Sequence, residues 1–233
     1  MNASVSQQVF PAKSYKELSK TLGELLPSSR FIYKENLAAI SGTVALYNKW
    51  SGDFEIGKYL AHKGTCMSVR AQNEHGAAKA LRLRKLAGEC LVESVAIFGG
   101  KQRSEIASEM KSALSKSIAI FDEETQKLAD AESLLSKGKG QDARGTLLYV
   151  FKYFDMAHAM LSEAQLGPLS RQSETVRSRI TVSIGLLAHG KANEESAGDA
   201  KKFIAVAHSA ASQLLPIMES VLASIEAYFP PKQ

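Results

Sequence analysis

From Ala143 to Ala164 apolar side chains recur in alternating steps of four and three: Ala143, Leu147, Val150, Phe154, Ala157, Leu161 and Ala164. That spacing follows the 3.6-residue helical turn, places all seven on one face, and matches the seam of a helical bundle. A strand would alternate every second residue instead. The preceding segment, 102–137, carries the same spacing over a longer run: Ala107, Met110, Leu114, Ser117, Phe121, Glu124, Leu128, Ala131 and Leu135. Ser117 and Glu124 interrupt it, which suits a bundle seam better than a committed coiled coil.

Around these two helices the chain reads as helix throughout. Residues 76–98 form a stripe of Ala80, Leu83, Ala87, Cys90 and Ile97, with Lys79, Arg82 and Lys85 on another face. Gly99-Gly100 ends that stripe, Gly138-Lys139-Gly140 makes the next turn, and Asp142 is the expected N-cap of the segment that follows. Gly167-Pro168 is expected to close the 142–165 helix. Weaker signals give helices over 172–189 (Val176, Ile180, Ile184, Leu187) and 199–228 (Phe203, Val206, Ala210, Leu214, Ile217, Val221, Ile225). The linker Lys191–Gly198 separates these two, and Pro216 should kink the second.

The N-terminal part is less regular. A short helix over 14–26 opens with the Ser14/Glu17 capping-box spacing and stops at Pro27. Over 31–73, Ser41-Gly42-Thr43 and Ser51-Gly52-Asp53 are breaks that favour two or three short helices. The aromatic and β-branched residues between Phe31 and Trp50 leave a small hairpin as the alternative. The expected fold is therefore all-α: an antiparallel bundle of about six to eight helices. Residues 1–73 would form an N-terminal layer of short helices and 74–233 the main bundle, or the two would run on as one domain. An echo 39 residues apart, GGKQ at 99–102 and GKGQ at 138–141, has the period of helical repeats, but two copies are fewer than a solenoid needs.

Charge is concentrated in one place. The chain carries a net +5, yet 58–85 alone holds Lys58, Lys63, Arg70, Lys79, Arg82, Arg84 and Lys85 against a single acid, Glu74. Clustered cations neutralise phosphates with little sequence selectivity, so Lys79, Arg82 and Lys85, extended by Lys58, Lys63 and Arg70, form a candidate nucleic-acid-binding surface. The competing expectation is a solvated face that pairs internally, for instance with Asp122-Glu123-Glu124.

Reaction signatures fail on spacing. Gly100-Lys101 is followed by Gln102, with Val95 where a phosphate loop needs glycine. No dinucleotide glycine fingerprint, zinc-protease pair, CxxC or nucleophile elbow occurs. Asp155 and His158 share a helix face, but a bundle di-metal site needs a second such pair, so a local hydrogen bond between them is expected in place of a metal. Cys90 falls on an apolar stripe; Cys66 lies in the basic segment with no evident base partner. The aromatic run Tyr149, Phe151, Tyr153, Phe154 spreads round its helix, which favours packing over base stacking.

These readings give a non-catalytic helical interaction or scaffold protein, with no cofactor, no metal and no catalytic residues assigned. Its alternatives are a nucleic-acid-binding protein using 58–85 and an enzyme with an unrecognised site. A protein partner, nucleic acid and a second copy of the chain are the expected partners. Two isolated cysteines, no secretory pattern in Met1–Phe10 and no long apolar run point to a soluble protein of the cytoplasm.

Overall fold

The computed structural model describes residues 53–188 and 194–230. Six helices make up the described chain: α1 Asp53–Gln72, α2 Ala77–Ala96, α3 Arg103–Ser136, α4 Gly140–Glu163, α5 Gly167–Leu186 and α6 Glu194–Tyr228. No strand occurs among the described residues. The expected helix 14–26, the break at 41–43 and the alternative hairpin lie outside them.

Helices α3, α4, α5 and α6 form a ring in which each packs on the next and α6 closes back on α3. Lys111, near the start of α3, donates to the carbonyl of Phe229 at 3.0 Å, and Lys201, near the start of α6, donates to Ser136 Oγ at 3.0 Å. The two long helices therefore run antiparallel along their whole length. At 34 and 35 residues, against 24 for α4 and 20 for α5, they outreach their partners. The difference is about 15–20 Å at 1.5 Å per residue. The α1–α2 hairpin fills that overhang. It packs chiefly on α6, and Ser220 Oγ of α6 donates to Gln72 Oε1 at 2.5 Å.

Bundle seams follow the spacing seen in the sequence. All nine positions of the α3 stripe are buried, Ser117 and Glu124 included. Ser117 satisfies its hydroxyl on the Ala157 carbonyl at 3.4 Å. Glu124 is 1% exposed and receives Lys127 Nζ on Oε1 at 2.7 Å, while its Oε2 has no partner. On α4 the first six stripe residues are buried, and Phe154 meets Phe121 edge-to-face with ring centroids 4.7 Å apart.

Hairpin α1–α2 is built differently. Gly57, Ala61, Gly64, Ser68 and Ala71 repeat in steps of four and three on α1, and all are buried. Small side chains let the backbones approach closely: a Cβ at Gly64 would fall 2.6 Å from Leu91 Cγ, and one at Gly57 2.9 Å from the Ser94 carbonyl.

Several local expectations change. After the second expected break, Asp53–Gln72 is a single helix of 20 residues, longer than the short helices expected over 31–73, whose earlier part lies outside the described residues. Asp142 sits in the first turn of α4 rather than capping it, where its charge still suits the positive end of the helix. Gly167-Pro168 opens α5 and does not close α4. The residue that closes α4 is Gln165, at φ 56°, with Leu166 N–H donating to the Leu161 carbonyl and Gln165 N–H to that of Ser162. This is the Schellman arrangement with a side chain where glycine is usual; Gly138, at φ 72°, ends α3 the same way.

The linker expected over 191–198 gives way at Glu194, where α6 begins, so Gly198 is helical. One interior glycine costs about 1 kcal/mol, which burial of Ala200 and Ile204 just beyond it offsets. The α6 stripe also shifts: Ile204, Ala207 and Ala211 are buried, while Val206 is 48% exposed. Beyond Leu214 the expected register is regained at Val221 and Ile225. α6 runs continuously through Pro216.

Candidate functional site

The cationic segment folds into α1, the 73–76 turn and the first half of α2. Lys58, Arg70, Lys79, Arg82 and Lys85 are exposed, and Lys63 is half-buried. On α2 the steps of three from Lys79 to Lys85 keep three cations within about 9 Å of rise. Arg70 and Lys79 meet across the turn at Glu74, whose Oε2 lies 2.5 Å from Lys79 Nζ. The hydrogen bond from Lys79, aided by Gly76 N–H and the charge of Arg70, holds the Glu74 carboxyl below its usual range. It is ionised at neutral pH and offsets one positive charge there.

The six residues do not form one cluster. Lys58 lies about 18 Å from Arg70 along the α1 axis, and Lys63 sits close enough to α2 to act on the Cys90 thiol. What the fold presents is an elongated cationic hairpin, densest at its turn. Two of the three acids proposed to cancel it have another partner: Lys127 binds Glu123 at 2.9 Å and Glu124 at 2.7 Å, within α3.

Cys66 does have a base neighbour, which the sequence reading missed. His62 Nε2 lies 3.7 Å from its Sγ, one helical turn away on the exposed row Lys58, His62, Cys66, Arg70. The i,i+4 spacing reveals the pair only once 53–72 is known to be one helix. Cys90 is fully buried on α2 and its thiol is pushed up to about 12, by burial first and then by Glu89 and Glu93. A thiolate is the reactive form. At pH 8 a maleimide should therefore modify Cys66 alone, and Cys90 only after denaturation. Two equivalents reacting with the folded chain would contradict the buried position. By the same shift, stability should fall as pH climbs from about 9 to about 12, because the unfolded thiol ionises there and the folded one does not.

The Asp155–His158 pair is not formed. Arg177 takes Asp155 at 2.6 Å and also binds Glu174. His158 Nδ1 lies 2.9 Å from Ser173 Oγ and 3.1 Å from the Ser170 carbonyl, with Nε2 3.6 Å from Glu174. A serine, a histidine and an acid thus converge. Ser173 is fully buried, however, and gives its proton to the Ser170 carbonyl at 2.7 Å, so its hydroxyl accepts from the imidazole. That geometry locks α5 to α4 and leaves no nucleophile facing a substrate.

The aromatic run packs as its spacing implies. Phe154 is core, Phe151 lies under Arg177, and Tyr149 and Tyr153 flank Lys127, whose Nζ is 4.7 Å from the Tyr149 ring centre. Among the described residues no group of three or more His, Cys, Asp or Glu could hold a metal ion. None of the described helices is long and apolar enough to cross a membrane. Comparison with known proteins finds no matching family model, no matching curated protein and no matching solved structure.

Proposed function

We propose that the chain is a non-catalytic interaction protein whose working element is the α1–α2 hairpin, and that its partner is the phosphate backbone of a nucleic acid. The observation that carries this reading is the exposure of Arg70, Lys79, Arg82 and Lys85 at one end of a hairpin whose opposite face is packed on the bundle. A rigid cationic ridge of this kind suits backbone neutralisation, which asks for spaced charges and no reading of base edges. Partial cancellation by Glu74 makes the ridge a weak, salt-sensitive binder. The two free cysteines suit a reducing compartment such as the cytoplasm.

Titration of labelled single- and double-stranded oligonucleotides at several salt concentrations tests this. Binding should weaken steeply with salt and show little sequence preference. Replacing Lys79, Arg82 and Lys85 together by Ala should flatten the slope of log K against log salt by about two units, at about 0.7–0.9 per contact. The melting temperature should change little, since all three are exposed. No binding at low salt overturns the nucleic-acid partner. An unchanged slope in the variant moves the contact towards Lys58 and Arg70.

A further inference from the structure

On the exposed row of α1, His62 and Cys66 turn two metal-ligating atoms to solvent, with Nε2 3.7 Å from Sγ. A tetrahedral zinc ion, with Zn–S about 2.3 Å and Zn–N about 2.0–2.1 Å, holds its sulfur and nitrogen about 3.5 Å apart. The pair therefore stands at chelating separation before any ion arrives. One helical turn fixes that separation, because residues four apart face the same way. Cys90, the other thiol, is fully buried and takes no part.

One chain supplies two ligands where a structural zinc site takes four. Among the described residues no third His, Cys, Asp or Glu joins them. A two-fold axis through the ion supplies the missing pair from the same row of a second copy, and isologous dimers are built in this way, one patch facing itself. Lys58 and Arg70 flank the pair one turn away on either side, and each has a partner of its own. Zinc ligands bind deprotonated, so two thiolates cancel the charge of the ion and the closed site adds none to that row. Lys58, His62, Cys66 and Arg70 offer no large apolar surface, so the ion, and not buried area, would hold the copies together.

We propose that a zinc ion bridges two copies of the chain through His62 and Cys66 of each, in a tetrahedral site of two nitrogens and two sulfurs. Thiolate and imidazole select zinc over magnesium and calcium, which take oxygen ligands. Each thiol gives up its proton to solvent as it binds. Neither ligand belongs to the oligonucleotide surface, so the site does not rest on that reading.

Sedimentation velocity of the full chain, kept reduced with a phosphine, tests the proposal. Zinc should convert monomer to dimer, saturating at half an equivalent per chain, and a chelator should reverse the change. Cobalt in place of zinc should give the visible bands of a tetrahedral ion together with a thiolate charge-transfer band. His62→Ala and Cys66→Ser should each abolish the zinc-dependent dimer, whereas His75→Ala should leave it intact. All three positions are exposed, and circular dichroism would verify that the variants fold. A chain that stays monomeric in zinc overturns the proposal. So does a full equivalent bound to a monomer, which would be an open chelate, and so does a dimer that the chelator leaves intact. A zinc-dependent dimer that survives His62→Ala would rest on thiolate alone and overturn it as well.

Discussion

Gly88→Ala should separate the α1–α2 hairpin from α6. A Cβ at position 88 would lie 2.2 Å from the Ser224 carbonyl oxygen and 2.7 Å from Tyr228 Cβ. The first of these is backbone and cannot rotate away, so the helices must move apart by more than an ångström. Overpacking that side chains absorb costs about 1–3 kcal/mol; an obstacle of backbone places the loss at about 3 kcal/mol or above. The better helix propensity of Ala returns only about 1 kcal/mol. Urea unfolding would measure it, and a separate early transition would show the hairpin leaving while the four-helix ring persists. Gly145→Ala is the matched control, because nothing lies within 4 Å of a Cβ there and the substitution should be neutral or stabilising. A loss below about 1 kcal/mol for Gly88→Ala would mean that α2 does not cross α6 at this point.

Phe154→Ala should be the most damaging truncation in the ring, at about 3–5 kcal/mol. Phe154 is fully buried, and it and Phe121 are the largest such side chains, meeting edge-to-face. Removing one ring therefore forfeits the transfer energy, the ring–ring contact and part of the packing around Phe121. Phe121→Ala should lose a similar amount, and the double variant less than the two losses added, since each already breaks the shared contact. Chemical denaturation of the three variants provides the cycle. A loss under about 1 kcal/mol for Phe154→Ala would place that face in solvent.

What the sequence determined by itself is the part that repeats with the helical period. The nine-position stripe of α3 was legible even through Ser117 and Glu124, because neighbouring apolar positions fix the face and polar residues between them must follow it inward. On α6 that logic failed over Phe203–Ala211. There Phe203 and Ile204, Val206 and Ala207, and Ala210 and Ala211 offer two adjacent stripes of similar apolarity. The choice of Ile204, Ala207 and Ala211 was made by α5 and α3 on either side. In α1 the ordered repeat is one of small residues, Gly57 to Ala71, which carries little hydrophobic signal but permits a close helix pair. Local charge was legible as a total and not as a surface, since the partner of Lys79 depends on a turn and the place of Lys63 on α2. The gap of about 790 Å³ between the α1–α2 hairpin and the α4–α5 turn could not be read at all, because its walls, among them Ala61 and Pro168, lie about a hundred positions apart and only tertiary packing brings them together.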